Sequence, residues 1–151
     1  GEFNVPHNLA LIDDEEVAVC DRENYRVQVF SLDGEFKRQW MVHKACAIEV
    51  TGTGDDVCIY VAEQGPTRGS PNRGEPNLGN RVGIYDRDGN RILRFGSREI
   101  GEEPDQFLWP HSMAIDSHGD VYVAEVSHSD YGGGWNIDHE LRSMQKLVRQ
   151  R

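Results

Sequence analysis

Apolar and polar residues alternate along this chain with a period of two, in short runs separated by turn-forming residues. Residues 17–21 (Val-Ala-Val-Cys-Asp), 26–30 (Arg-Val-Gln-Val-Phe) and 121–125 (Val-Tyr-Val-Ala-Glu) are examples. That period sends successive side chains to opposite faces of a β-strand. The runs recur as a set. A first run covers 6–11, 45–50 and 110–115. A polar break follows each (13–16, 51–56, 116–120), and then a second run ends in an acid (17–21, 59–63, 121–125). Third runs cover 26–30, 81–85 and 144–148; fourth runs cover 36–40 and 92–95. Asp33-Gly34 and Asp88-Gly89 stand between third and fourth runs. Asp-Gly predicts a tight hairpin there, because Gly takes a positive φ cheaply. The unit is four short antiparallel strands, and the fold class is all-β.

The acids that end the second runs lie at 21, 63 and 125, spacings of 42 and 62. The first suits a blade of about 40–45 residues. The second reflects an insertion, residues 65–79, with four Gly and three Pro, which reads as a surface loop. Residues 127–140, with Gly132-Gly133-Gly134, form a second long loop at the same place in the third unit. Loops at one topological position fall on one face of a repeat array, where binding surfaces are built; two unrelated inserts are the competing reading. The tail, 139–151, carries Leu141, Met144 and Val148 at helical spacing, but repeat alignment makes 144–149 a third strand with no fourth after it. The blades span about 3–41, 42–97 and 104–151 of one propeller segment, 1–151.

Charge narrows the function. Sixteen Lys and Arg against 26 Asp and Glu give a net charge of −10. That balance argues against a nucleic-acid surface, which needs a basic stripe, and against docking on anionic lipid. No apolar run reaches the ~20 residues of a membrane-spanning helix. Residues 1–4 show neither the basic start nor the apolar stretch of a secretory signal, and the compartment stays open. Cys20, Cys46 and Cys58 are odd in number and sit in apolar runs, so they read as buried free thiols.

The run Phe3-x-x-Pro6-His7, then 19–30 (Val-Cys-Asp-Arg-Glu-Asn-Tyr-Arg-Val-Gln-Val-Phe), then Asp33-Gly34, resembles a blade of the NHL-repeat β-propellers. The third unit repeats it as Phe107-x-x-Pro110-His111. The second unit lacks Pro-His but keeps the strands. Within that group the chain is most similar to the peptidyl-hydroxyglycine amidating lyases, through residues 5–11 with Asp21-Arg22-Glu23-Asn24 and through Trp109-Pro110-His111-Ser112. The resemblance implies half of a six-bladed ring. It implies zinc held in the central channel, with His7 and His111 as two of three histidine ligands. It makes Arg22 the catalytic arginine that holds the substrate carboxylate. The reaction would be C–N cleavage of an α-hydroxyglycine peptide to a peptide amide and glyoxylate, with zinc as Lewis acid. The family's third histidine and its tyrosine lie in blades this chain lacks. Ser112 replaces an acid that sits near a structural calcium, which puts that calcium in doubt. Trp109 replaces a Met.

The register agrees on the place. First strands of propeller blades line the channel, and His7 and His111 start two of them. Cys46 holds the same register in the middle unit, as a buried thiol or a thiolate ligand. Arg22 is either a clamp or a surface partner of Asp21 or Glu23. His43, His118, His128 and His139 read as solvated loop residues. Tyr131 and Trp135 are candidates for a substrate rim, with Tyr131 a candidate base. The competing function is a non-enzymatic NHL propeller that binds a protein or small ligand. Three blades leave two open sheet faces, so self-association into a homodimer that closes a six-bladed ring is also expected.

Overall fold

A computed structural model describes residues 2–65, 78–97, 99–132 and 137–150. Eleven strands form among them, in three antiparallel sheets. The first sheet is β1 (Pro6–Ile12), β2 (Glu16–Asp21), β3 (Arg26–Ser31) and β4 (Phe36–Met41), in chain order. The second is β5 (Ala45–Thr51), β6 (Cys58–Glu63), β7 (Arg81–Tyr85) and β8 (Arg91–Phe95). The third has three strands, β9 (Pro110–Ile115), β10 (Val121–Glu125) and β11 (Met144–Leu147). Every run read as a strand from the sequence is one, the tail strand included. These are three consecutive blades of a β-propeller type of architecture. The predicted loop at 65–79 falls mostly outside the described residues. Of the second predicted loop, Ser127–Gly132 is a π-helical turn rather than open loop.

Two apolar layers lie between the sheets. Ile12, Ala18, Cys20, Val27 and Val29 of the first sheet pack on Ile48, Ile59, Val61 and Tyr85 of the second. Cys46, Ala47, Ala62 and Val82, on the other face of the second sheet, pack on Phe107, Met113, Val121 and Val123 of the third. The alternation explains both layers, since one strand supplies even positions to one neighbour and odd positions to the next. The faces differ in size. On the first and second strands small side chains (Ala18 and Cys20; Ala47 and Ala62) meet larger ones of the following blade (Ile48 and Ile59; Met113 and Val123), while the third strands add Val27, Val29 and Val82 to the same layers. The outermost faces lack such a neighbour. Leu9, two residues after His7, is 62% exposed, whereas Ile48 and Met113 in the same register are 2% and 7% exposed. On the third sheet Ser112, Ala114 and Ala124 face outward.

The hairpin turns form where Asp-Gly predicts them. Gly34 and Gly89 both have φ +86°, and each donates its amide to the carbonyl three residues back. Their surroundings differ. A Cβ on Gly34 would meet nothing within 4 Å, but one on Gly89 would fall 2.6 Å from the Trp40 ring of the first blade. That turn also carries Arg87, whose guanidinium bridges Asp13, Glu15 and Glu16 of the first blade, while Arg38 grips Glu16 with both terminal nitrogens, at 2.7 and 2.8 Å.

The acid that ends each second strand is buried, and the three do not do the same thing. Asp21 accepts the Asn4 amide at 2.7 Å, Arg26 Nε at 2.7 Å, Gln28 Nε2 at 3.0 Å and Asn24 Nδ2 at 2.9 Å. Glu125 accepts the Leu108 and Trp109 amides at 2.5 and 3.1 Å. Both therefore hold the segment entering their own blade. Burial pushes the Asp21 carboxyl up, but its donors outweigh that and hold it below the usual range. Glu63 accepts the Tyr85 hydroxyl, at 3.4 Å, and burial, opposed by Arg81 and Arg94, pushes it up to about 7.

Two outcomes follow. Gly89→Ala should cost about 1–3 kcal/mol more than Gly34→Ala in urea denaturation, because both strain φ but only the first also displaces Trp40. Glu63 binds its proton more tightly folded than unfolded, so its contribution to stability declines as pH rises from about 4.5 to about 7. Glu63→Gln should remove that decline. The gap between variant and wild type should widen across this window and stay constant above it, read from melting temperatures at stepped pH.

Candidate functional site

Each first strand begins with a β-bulge. Pro6 faces Asp21 and Leu9 faces Val19, so β1 holds one residue more than β2 between those pairs. In the second blade the extra residue is Cys46, and in the third it is His111. A bulge re-aims a side chain out of the pleat. Here it acts at the register of His7, Cys46 and His111, where β1 packs beside β5 and β5 beside β9. Val5 and Lys44, each two residues before the bulged residue, have φ of 55° and 44°. For Val, a β-branched residue, that is a costly conformation.

The bulges bring the two histidines together. The His7 and His111 ring centroids are 4.7 Å apart, with planes 74° to each other. A carbonyl can only accept, so His7 donates its Nδ1–H to Cys46 O, at 2.6 Å. Cys46 Sγ lies 3.2 Å from Ala62 O and 3.1 Å from Pro110 O. Burial pushes the Cys46 thiol up to about 12, against the pull of the Arg22 charge. The thiol lies between carbonyls of the second and third blades, and the Cys46 carbonyl accepts from His7 of the first.

Arg22 sits on a 3-10 turn (Arg22–Asn24) above the end of β2. Its Nε donates to Glu23 Oε1 at 2.9 Å, and Glu23 also lies 3.6 Å from Lys44 Nζ. The turn is fastened to the entry segment: the Arg22 amide reaches Val5 O and the Glu23 amide reaches Asn4 O. The backbone bond to residue 5 recurs in the other blades, as Gln64 to Lys44 and Val126 to Trp109. Arg22 is thus close enough to act on Cys46, and it is paired with Glu23, one of the two surface partners the sequence suggested.

His7 and His111 meet, with buried Cys46 bonded to His7 and Arg22 acting on Cys46, at the end of the blades where the second strands finish. Imidazoles are ligands that suit zinc, but a catalytic zinc takes three protein ligands. Among the described residues no group of three or more His, Cys, Asp or Glu is arranged to hold a metal ion. Ser112 is exposed beside His111. His43 departs from expectation. It is half-buried, its Nδ1 donates to Gln64 O at 2.8 Å, its ring lies 5.3 Å from that of Tyr25, and burial holds its pKa down. His118, His128 and His139 are exposed as expected. The Tyr131 side chain and Trp135 lie outside the described residues. Sequence reading missed Gln64 and the bulges; the recurring residue before each channel position, Pro6, Ala45 and Pro110, was the available signal.

Comparison with known proteins bears on this geometry. The protein brain tumor of Drosophila melanogaster is 24% identical over 134 residues, covering 83% of this chain and 11% of its own length. The B-box type zinc finger protein ncl-1 of Caenorhabditis elegans is 26% identical over 134 residues, covering 83% of this chain and 13% of its own length. The chain thus spans about a tenth of the length of these curated relatives. Neither is named as a lyase, so the likeness to the amidating lyases finds no support in these matches. The blade that carries His7 and Arg22 is the one a family model recognises: residues 3–30 match the NHL repeat.

Proposed function

We propose that this chain is a non-enzymatic NHL propeller segment, a scaffold that binds a protein or small ligand at the channel mouth. One observation carries the reading: two of the four mouth groups are committed to structure. Arg22 is paired with Glu23, and Cys46 is a thiol held between carbonyls of two blades. The NHL match and the two relatives support the same reading.

A second reading has its own observation. His7 and His111 converge with a 4.7 Å ring separation, as two ligands of a zinc lyase site would. Metal content and glyoxylate release separate the two readings. After incubation with zinc and dialysis, the scaffold reading expects well under one zinc per chain and no glyoxylate from an α-hydroxyglycine peptide. One zinc per chain, with glyoxylate release abolished in His7→Ala and in His111→Ala, would instead establish the lyase.

The two open faces support self-association. Leu9 and Leu11 on the first sheet match the small residues Ala114 and Ala124 on the third, which repeats the large-on-small rule of both internal layers. Light scattering should give twice the 17.1 kDa chain mass. Leu9→Lys should return it to the monomer, because a charge cannot be buried in an apolar layer without a partner.

A further inference from the structure

Asp21 and Glu63 end the second strands of the first two blades, and each lies opposite the first residue of its third strand, Arg26 and Arg81. In the first blade these side chains are paired. Arg26 Nε lies 2.7 Å from Asp21 Oδ2, and Gln28 Nε2 donates to the same oxygen at 3.0 Å. In the second blade the same register is used differently. Gly83 takes the place of Gln28. A Cβ on Gly83 would fall 2.7 Å from the Tyr85 ring, so that ring crosses the space a side chain would fill and brings its hydroxyl to Glu63 Oε1, at 3.4 Å. Arg81 bonds elsewhere: its Nε donates to Gly79 O at 3.4 Å, and its Nη2 is buried with no hydrogen-bond partner among the described residues.

Arg81 is 4% exposed, and a buried guanidinium with an unused nitrogen costs free energy until an acceptor reaches it. A carboxylate is the acceptor its fork suits. Glu63, also 4% exposed, is the carboxyl directly across the strand pair, on the same face of the sheet. From β7 it is faced by Arg81 and Tyr85, from β8 by Arg94 and Arg91, and from β5 by the Cys46 thiol. Burial pushes its carboxyl up to about 7, against the three arginine charges and the Tyr85 bond. Asp21, whose donors outweigh its burial, is held below the usual range and is charged where Glu63 still carries a proton. The two blades therefore hold one acid–arginine pair in two arrangements.

We propose that Glu63 and Arg81 form a proton-controlled latch. With its proton, Glu63 stays on the Tyr85 hydroxyl and Arg81 stays on Gly79 O. When the proton leaves to solvent, the guanidinium swings to the Glu63 carboxylate and makes the pair that Arg26 and Asp21 make in the first blade. The move frees one stem of the 65–79 insertion. Gly79 is packed on the other stem, where a Cβ on Gly65 would fall 3.2 Å from its Cα. Asn80 ties the Gly65 amide and Leu108 O together, at 2.7 Å each. The pH thus decides whether Arg81 braces that stem or the end of β6. The latch is independent of the channel mouth and holds whichever function the mouth has.

Crystal structures at about pH 5 and about pH 9, on either side of the Glu63 titration, test the movement directly. Arg81 should lie on Gly79 O in the first and at hydrogen-bond distance, about 3 Å, from Glu63 in the second. A double-mutant cycle tests its energy: Glu63→Gln keeps the shape of the acid, and Arg81→Met keeps the aliphatic stem. At about pH 5 the two changes should add in melting temperature. At about pH 9 Arg81→Met should lower the melting temperature by about 3 °C or more beyond its effect in the Glu63→Gln background. Side chains that stay apart at both pH values, or a coupling that is the same at both, would each overturn the proposal.

Discussion

The burial of β5 on both of its faces is the constraint on which the rest of this structure depends. Ala45 and Ile48 belong to the layer shared with the first blade, and Cys46 and Ala47 to the layer shared with the third. These four consecutive residues are almost wholly buried, and all but Ile48 are small. Small side chains let three first strands approach one another at the narrow side of the wedge, where larger ones would force the sheets apart. Cys46 then adds direction to that packing. Its carbonyl takes His7, and its thiol lies between carbonyls of its own blade and the third. The histidine pair is therefore a consequence of how the blades pack, and its geometry is only as rigid as β5.

The three strand-end acids show how one repeat position is put to different uses. All three lie opposite the residue before a channel group: Pro6 by Asp21, Ala45 by Glu63, Pro110 by Glu125. Asp21 and Glu125 satisfy backbone amides of their own entry segments, which fixes the approach to His7 and His111. In the middle blade the backbone bond from Gln64 to Lys44 remains, but Glu63 is turned towards Tyr85 and Arg81. An acid rich in donors stabilises the fold above its unfolded pKa; an acid poor in donors costs stability there. In the middle blade burial raises the strand-end acid, and its charge acts on Cys46.

How much of this was legible in the sequence depends on what alternation encodes. A period of two reports that one face of a strand is buried, and on that ground all eleven strands were placed, even the short Met144–Leu147 in a tail with a competing helical stripe. It does not report what covers the face. Leu9 and Ile48 read alike in sequence and differ from 62% to 2% in exposure, because only one has a blade in front of it. The bridge from Arg87 to Asp13 and Glu16 spans more than seventy residues and leaves no local signature. The site was legible to the same degree. Repeat register brought His7, Cys46 and His111 to one level, but the bulges that aim them, the protonation of Cys46 and the pairing of Arg22 are properties of neighbours from other blades.

That distinction bears on how the two ends of the molecule should be understood. At the channel mouth each polar group is held by bonds made within the three blades, so the arrangement of His7, Cys46 and Arg22 is set before any ligand arrives, and a ligand pays little to order it. At the opposite end, apolar side chains of the second and third sheets, among them Leu93, Phe95, Ile115 and Leu147, line a groove between them. The two ends of the three blades therefore differ in kind: at one, polar groups are bonded across the blades, and at the other, apolar side chains stand exposed.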